Sequence, residues 1–340
     1  MWARLVRLAA PLALVCALAG CGDGSSEVDE EPLVVATNDR PSPGSGQGGL
    51  PQGTVRIAVV THGQASSPFW AIVRNGVESA ARQMDVQVDY RAPDTYSLPR
   101  MVALVDQAVR SRPDALVVSL PETGVGPAIR RAVREGIPTV TINSGSDDAR
   151  KLGVLVHVGQ PEDRAGLLAG RRLARSGVRR ALCVNQQVGN LGLDARCRGL
   201  AQAMREAGGR SFVVPVDDQA PTADDDIRTA IRTRRADGVL AMNATSGIAA
   251  AEAVKASGSD VEVGTFDLGP DVLGLVQRGQ MAFAVDQQAY LQGYLPIVLL
   301  AQRARYGLFP AQEGVLPTGP RFVTREDAGQ ALELSRRSIR

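Results

Sequence analysis

Val55-Arg56-Ile57-Ala58-Val59-Val60 is a mostly apolar, β-branched run, and the residues after it are apolar at helical spacing. The run predicts a strand and the spacing predicts an amphipathic helix. This alternation continues along the chain. Near-continuous apolar strands joined by helices are typical of a parallel sheet covered by helices on both faces. The helical positions are Val73, Val77, Ala80 and Met84, and further elements are expected at 86–90, 97–112, 115–118, 126–135 and 139–142.

A second, similar series begins near residue 180. The segment that starts at Asp114 matches the one that starts at Asp237 at an offset of 123 positions, and Asn143 matches Asp267 at an offset of 124. Offsets that agree to within one position at two strand ends predict two similar Rossmann-like lobes. A single long sheet with coincidental spacing remains the alternative. The roughly 285 residues after Gly53 exceed what one hydrophobic core usually serves, which favours two lobes.

The first 53 residues have the features of a lipoprotein signal and a tether. Arg4 and Arg7 precede a short apolar stretch that closes with Leu18-Ala19-Gly20-Cys21. The stretch is too short to span a bilayer, so residues 1–20 are expected to be a cleaved signal peptide, with Cys21 lipidated. An ordinary cysteine is the alternative. Residues 21–53 are rich in Gly, Ser and Pro and are expected to form a disordered tether. These features predict an extracytoplasmic, membrane-anchored protein.

The charge balance excludes a nucleic-acid-binding protein. The chain has 38 Lys and Arg against 36 Asp and Glu, and loss of the signal peptide would remove two arginines and no acid. A nearly neutral chain lacks the basic surface that nucleic acids require. No later segment is long and apolar enough for a membrane span, so anchoring is expected to rest on the lipid alone.

Polar side chains follow most of the predicted strands. In open α/β sheets, ligands bind beyond the carboxyl ends of the strands, which makes these residues candidates for a site. Asn, Asp and Gln offer donors and acceptors that suit vicinal hydroxyls, and aromatic rings suit the C–H face of a sugar. The candidates are Ser67, Phe69 and Trp70 after the first strand, and Asn143, Asn243, Asp267 and Gln287 after later ones.

With these residues the chain resembles the periplasmic sugar-binding proteins of the ribose- and galactose-binding type, the solute receptors of ABC transporters. The resemblance extends from Val55 to about Thr324. It rests on Ser67-Pro68-Phe69-Trp70, Arg196-x-x-Gly199, Asn243, Gly264-Thr-Phe-Asp267 and Gln287. It implies the type I solute-binding fold, in which two lobes close like a hinged trap around one sugar. It also implies a sugar or polyol ligand, an ABC permease as partner, a monomer and no cofactor.

The resemblance further implies a division of the chain into lobes. The N-terminal lobe is expected at 54–157 and 287–314, the C-terminal lobe at 158–286 and 315–324, and a C-terminal tail at 325–340. Three crossovers near Val158, Asp286 and Val315 are expected to form the hinge. A co-receptor that docks on a sensor kinase or chemoreceptor would need the same cleft and anchor, so this alternative stays open.

Carried over to this chain, the resemblance assigns ring contacts to Phe69 and Trp70 and polar contacts to the other candidates. Alternatives stay open for several of them: either aromatic can be core, Asp267 can be a helix N-cap, and Arg196 can be a solvated helix charge. The polar contacts are assigned to Ser67, Asn143, Arg196, Asn243, Asp267 and Gln287.

The chain departs from the family pattern in two places. Many sugar receptors of this family have an Asp-Arg pair after the fourth strand, where this chain has Asn143-Ser144. No aromatic residue lies around Asp217-Asp218-Gln219, where the second lobe often supplies a stacking ring. The class of ligand survives these departures, but its identity does not.

The remaining cysteines and histidines have structural interpretations. In an oxidising compartment Cys183 and Cys197 are expected to form a disulfide, with buried thiols as the alternative. A loop of this size contributes on the order of 3 kcal/mol in the chain-entropy model. His62 and His157 lie far apart in sequence and are expected at a strand end or the hinge, with no metal site.

The sequence also lacks the motifs of common enzymes. It has no Gly-x-Ser-x-Gly elbow, His-Glu-x-x-His pair or phosphate loop, and paired carboxylates such as Asp267 and Asp286 are the remaining catalytic alternative. A repressor with the same lobes would need a basic helix-turn-helix where this chain has a lipobox and a linker. The expected function is therefore ligand binding, not catalysis.

Overall fold

The computed structural model describes residues 53–63, 67–310 and 314–340. The predicted signal peptide, the lipidation site Cys21 and nearly all of the tether lie outside the described residues. The strands are β1 (Arg56–Val60), β2 (Gln87–Arg91), β3 (Ala115–Ser119), β4 (Thr139–Ile142), β5 (Val156–Gly159), β6 (Arg180–Asn185), β7 (Arg210–Pro215), β8 (Gly238–Ala241), β9 (Glu262–Phe266), β10 (Phe283–Asp286), β11 (Val315–Pro317) and β12 (Arg321–Val323). The helices are α1 (Pro68–Gln83), α2 (Leu98–Arg110), α3 (Gly126–Arg134), α4 (Ser146–Ala149), α5 (Glu162–Arg175), α6 (Leu191–Glu206), α7 (Ala223–Arg234), α8 (Ala244–Ser257), α9 (Pro270–Gln277), α10 (Ala289–Tyr306) and α11 (Ala328–Arg336).

These elements form two six-stranded sheets of corresponding topology. The first has the order β11-β5-β4-β3-β1-β2 and the second has the order β12-β10-β9-β8-β6-β7. Neighbouring strands are parallel throughout, except that β12 runs antiparallel to β10. When the two strand orders are compared position by position, β1 corresponds to β6, β3 to β8 and β4 to β9. This correspondence agrees with the offset between matching segments in the sequence. The predicted α/β class with two similar lobes is confirmed.

Helices cover both faces of each sheet. Strands β3 and β8 are buried along their whole length, which explains why their sequences are continuously apolar and do not alternate. Separate apolar cores lie on the two faces of the first sheet, and the same is true of the second. Burial on both faces fixes the positions of the strand ends. It therefore also fixes the positions of the polar residues that follow the strands.

In each lobe one pair of helices packs backbone against backbone through two glycines. A β-carbon on Gly76 of α1 would lie 2.1 Å from the carbonyl oxygen of Tyr290, and one on Gly293 of α10 would lie 2.0 Å from that of Val73. The pair α5 and α6 repeats the arrangement in the second lobe. There Gly166 faces the backbone of Arg196, and Gly199 faces that of Asp163.

In the described ranges, three segments cross between the sheets. The first is Gln160-Pro161 and the second is Gln287-Gln288, each directly after a strand. The predicted crossover near Val158 lies two residues later in the structure, because Val158 and Gly159 still pair with β11.

The third crossover also differs from the prediction, which gave residues 315–324 to the second lobe. Strand β11 pairs with β5 in the first sheet, and β12 pairs with β10 in the second. The crossing is therefore made at 318–320. Residues 315–323 form two strands of three residues each, and Pro320 between them has no N–H to donate to a ladder.

The expected C-terminal tail is mostly helical. Ala328 and Ala331 of α11 are buried in the second-lobe core beside Val272 and Val276 of α9. Residues 328–336 are therefore an integral part of that lobe.

Gly199→Ala is expected to lower the free energy of unfolding by about 1–3 kcal/mol, because the new methyl group would force apart two helices in backbone contact. Its β-carbon would lie 2.1 Å from the carbonyl oxygen of Asp163. Urea denaturation followed by circular dichroism measures the change. The control is Gly329→Ala on the exposed face of α11, where the nearest atom is 3.6 Å away. It is expected to raise stability by up to about 1 kcal/mol. Equal stability of the two variants would contradict the packing argument.

Candidate ligand-binding cleft

Asn143 and Asp267 occupy equivalent positions in the two lobes. Asn143 follows β4 and Asp267 follows β9, and both have a backbone φ of 68°, in the left-handed region. Short polar side chains tolerate this conformation better than other non-glycine residues do. The turn directs the chain away from the sheet at the same point in each lobe.

The side chain of Gln287 connects these two residues. Its Nε2 donates to Asp267 Oδ1 at 2.5 Å, and its Oε1 accepts from Asn143 Nδ2 at 3.3 Å. Gln292 Nε2 donates to the same Oε1 at 3.0 Å. Because an ionised carboxylate only accepts, the amide of Gln287 has one possible orientation. The middle crossover thus joins the strand ends of both lobes.

The carboxyl group of Asp267 is electrostatically unusual. Burial raises its pKa to about 6; the Arg196 charge and the hydrogen bond from Gln287 act in the opposite direction, and the nearby Glu162 and Asp286 carboxylates add to the increase. The residue still keeps partial exposure to the cleft. Among the described residues, only Oδ1 carries a hydrogen bond.

A small pocket lies between the lobes beside Asp267. Phe69 of α1 forms one side of it, and Arg340 also reaches it. The lining residues are Phe69, Ile72, Asp267, Leu268, Asp286, Gln287, Ala289 and Arg340. An aromatic ring, a carboxylate and an amide thus lie together at this pocket, supplied by three of the candidate residues, Phe69, Asp267 and Gln287.

Trp70 lies deeper than its neighbour Phe69. It is only 7% exposed and belongs to the first-lobe core. Its ring packs edge-on to Phe69 at 5.1 Å and to His62 at 4.8 Å between centroids. Trp70 therefore supports Phe69 from behind, which corresponds to the core alternative for one of the two rings.

Arg196 is neither solvated nor pointing freely into the cleft. Its side chain is 3% exposed and makes a two-pronged ion pair with Glu162, with Nε to Oε2 at 2.6 Å and Nη2 to Oε1 at 2.9 Å. Nη1 donates to the carbonyl of Met242 at 2.9 Å, and the guanidinium lies 4.3 Å from the centroid of the Phe266 ring. Burial is the largest single influence and opposes the charged form, but the charge and hydrogen bonds of Glu162 and the charge of Asp267 together outweigh it, so the pKa of Arg196 is raised. The side chain fixes the second-lobe wall behind Asp267.

Asn243 and Ser67 both begin helices. Asn243 Oδ1 caps α8 by accepting from the backbone N–H of Ser246 at 2.9 Å, and its Nδ2 donates to Asp218 Oδ2 at 2.6 Å. Asp218 belongs to the loop where the sequence lacks a stacking aromatic. Ser67 is the N-cap residue of α1, and its side chain makes no capping hydrogen bond.

The two lobes also touch directly at the cleft rim. Ser144 Oγ donates to Asn190 Oδ1 at 3.1 Å, and the backbone N–H of Leu191 donates to the carbonyl of Pro121 at 2.8 Å. Asn190 is at the same time the N-cap of α6. Ser144 therefore makes a contact between the lobes.

A disulfide joins Cys183 of β6 to Cys197 of α6. It ties the strand to the helix that carries Arg196 and begins at the cleft rim. The predicted disulfide is present in the structure.

The two histidines are buried, and burial favours their neutral form. His62 hydrogen-bonds Ser119 Oγ at 2.9 Å, and burial lowers its pKa to about 3. Nδ1 of His157 in β5 lies 3.0 Å from Thr141 Oγ1, and burial lowers the pKa of His157 to about 4.

Within the described ranges, no group of three or more His, Cys, Asp or Glu side chains is arranged to hold a metal ion. In the same part of the chain, no helix has the length and apolarity to cross a membrane.

Sequence reasoning missed three residues around the cleft. No role was predicted from the sequence for Glu162 or for Gln292. Arg340 fell in the expected tail. None carries a local signal, since each gains its role only from a contact made by the fold.

Two α/β lobes that share three crossovers and enclose a polar pocket define a hinged solute-binding protein. The chain belongs to the periplasmic binding protein domain family, which matches residues 57–307. Its relatives are solute-binding proteins, and it is a binding protein and not an enzyme.

Similar proteins extend over most of the chain. The xylose/arabinose-binding protein of Sulfolobus acidocaldarius is 24% identical over 325 residues, which cover 87% of this chain and 78% of that protein. The ribose import binding protein of Haemophilus influenzae is 24% identical over 251 residues, which cover 73% and 84%. A carbohydrate transporter protein from Acidothermus cellulolyticus, crystallised with myo-inositol, is 30% identical with a TM-score of 0.80, and the match covers 85% of this chain and all of that one.

Glu162→Gln is expected to lower the free energy of unfolding by about 3–5 kcal/mol, because it leaves the buried guanidinium of Arg196 without its compensating charge. Urea denaturation measures the loss. The matched control is Asp163→Asn on the exposed neighbour, expected to change stability by less than about 0.5 kcal/mol. If Glu162→Gln is as stable as this control, the ion pair does not support the second lobe.

Proposed function

We propose that this protein is an extracytoplasmic receptor that binds one small neutral sugar or cyclic polyol between its lobes and delivers it to an ABC importer. The observation that carries this proposal is the polar chain from Asn143 through Gln287 to Asp267, beside the ring of Phe69. A carboxylate accepts from hydroxyl groups, and an aromatic face packs on the C–H face of a ring.

The charges around the pocket favour a neutral ligand. Glu162 is paired with Arg196, and Asp286 is paired with Arg340 at 2.7 Å. Asp267 has no such ion pair among the described residues. A sugar acid or sugar phosphate would bring a second negative charge next to this carboxylate in a poorly solvated cleft, which is unfavourable. A hydroxyl that donates to Asp267 meets no such penalty.

The names of similar proteins support the same ligand class. Two of those proteins are named for binding xylose and arabinose or for the import of ribose, and the third was crystallised with myo-inositol. Import binding proteins and transporters among them favour delivery to a permease over docking on a sensor kinase. Within the proposal the receptor acts as a monomer, with ligand contacts from Phe69, Asp267 and Gln287, and with Asn143 and Asn243 at neighbouring strand ends.

Asp267→Asn is expected to weaken binding by about 10- to 100-fold, because a charge-assisted hydrogen bond contributes about 1.5–3 kcal/mol. Calorimetry with myo-inositol, xylose, arabinose and ribose measures the affinity, and a thermal melt checks that the variant is folded. The control is Asp271→Asn, four residues later on the exposed start of α9. Equal affinities of the two variants would remove Asp267 from the site, and no binding of any of the four by the unsubstituted protein would contradict the ligand class.

The same titrations at different pH give an independent readout. Asp267 has a pKa of about 6 in the unliganded protein. A ligand hydroxyl that donates to the carboxylate stabilises its ionised form, so binding below this pKa must displace a proton. Affinity is therefore expected to be constant above about pH 7 and to fall by up to about tenfold per pH unit below 6. Asp267→Asn should abolish this dependence.

We further propose that a lipid on Cys21 anchors the receptor to the membrane. Expression of the full chain in a bacterial host tests this by fractionation and mass spectrometry. Cys21→Ser is expected to move the protein from the membrane to the soluble fraction, because it removes the thiol that would carry the lipid. Cys16→Ser, inside the predicted signal peptide, is the matched control and should leave the distribution unchanged. A lipid-free Cys21 in the unsubstituted protein would contradict the anchor.

A further inference from the structure

The segment after α11 returns from the second lobe to the first. Helix α11 itself is packed in the second lobe, yet Asn75 Nδ2 of α1 donates to the carbonyl of Ser338 at 2.8 Å. Two residues later, Arg340 reaches the middle crossover. Residues 337–340, called here the return segment, thus lie across the boundary between the lobes.

The guanidinium of Arg340 is only partly used by the protein. Its Nε donates to Asp286 Oδ2 at 2.7 Å, and the two side chains are 13% and 5% exposed. The other oxygen of Asp286 accepts from the backbone N–H of Gln288 at 2.7 Å. Arg340 Nη2 is buried and has no hydrogen-bond partner among the described residues. A buried N–H group without a partner is unfavourable, and such groups in folded proteins usually meet a ligand or water.

Arg340 also lines the pocket between the lobes, together with Phe69, Asp267 and Gln287. Within the described part of the chain, a donor without a partner therefore lies at the same pocket as a carboxylate that carries a single hydrogen bond. A hydroxyl group both donates and accepts, so two neighbouring hydroxyls can satisfy the carboxylate and the guanidinium together. The charge of Arg340 is already balanced by Asp286, which keeps the pocket suited to a neutral ligand.

We propose that Arg340 is a specificity-determining residue of the cleft, which donates from Nη2 to a ligand oxygen next to the hydroxyl held by Asp267. This inference rests on the proposed function. The arrangement selects for the position of one oxygen on the ring, because the ion pair with Asp286 fixes where the guanidinium lies.

The test is calorimetry of Arg340→Gln and Arg340→Lys with myo-inositol, xylose, arabinose and ribose. Arg340→Gln is expected to weaken the tightest of these by at least tenfold and to change their order of affinity. Arg340→Lys keeps a positive charge beside Asp286 but loses the planar set of N–H donors of the guanidinium. It should therefore remain folded and show the same change in the order of ligand affinities. The exposed Arg337→Gln in the same segment is the matched control and should bind like the unsubstituted protein.

Asn75→Ala separates ligand contact from a purely structural role. It removes the hydrogen bond between the return segment and the first lobe and leaves the Arg340 guanidinium, which pairs with Asp286, in place. If Arg340 only anchors this segment, Arg340→Gln and Asn75→Ala should weaken all four ligands by one common factor. Monodeoxy derivatives of the tightest ligand add a second criterion. One derivative, which lacks the oxygen that Arg340 contacts, should bind more weakly than the parent ligand to the unsubstituted protein. Arg340→Gln should not weaken the binding of this derivative any further.

The possible failures are distinguishable. If the unsubstituted protein binds none of the four compounds, the proposed function fails, and the assignment of Arg340 fails with it. If it binds at least one, and Arg340→Gln binds all within twofold of the unsubstituted protein, only the assignment of Arg340 is overturned. If Arg340→Gln weakens the binding of every ligand by the same factor, the assignment is also overturned, and Arg340 is a structural anchor of the return segment.

Discussion

The amide of Gln287 is the interaction on which the cleft depends. It accepts from Asn143 of the first lobe and donates to Asp267 of the second, and it lies on the middle crossover between them. Since the carboxylate of Asp267 can only accept, the direction of every bond in this chain is fixed. Both partners end corresponding strands with the same left-handed backbone. The two halves of the cleft therefore share a backbone and differ in chemistry, with an amide on one side and a carboxylate on the other.

Charge distribution then decides what this cleft can accept. Taking a charge out of water is costly unless a partner compensates it, and the fold provides such partners for Arg196 and Asp286. Among the residues that the structure describes, the side chain of Asp267 is left with one hydrogen bond, and its pKa is raised. A neutral ring with several hydroxyls fits this pattern better than an anion does. The close glycine-mediated contact of α5 with α6 keeps the charged wall of the second lobe in position.

The sequence predicted the parts of the fold that rest on local periodicity. Buried strands are continuously apolar, so β3 and β8 were recognisable, and their constant offset already indicated two lobes. Strand ends follow from the strands, and Asn143, Asp267 and Gln287 were selected as candidates in this way. Trp70 and Arg196 show the limit of this reasoning. Their residue types suit ligand contact, but Trp70 is packed behind Phe69, and Arg196 is held by Glu162, which lies 34 positions earlier in the chain.

By itself, the amino-acid sequence determined the class of fold, the number of lobes, the disulfide and the chemical character of the strand ends, because each depends on residue type and spacing along the chain. Only the tertiary structure decided which polar groups meet. The pairing of Gln287 with both lobes, the ion pair of Glu162 with Arg196 and the arrival of Arg340 at the pocket join residues far apart in sequence. Such contacts leave no periodic pattern, since they arise from the packing of elements against each other and from the need of every buried polar group for a partner.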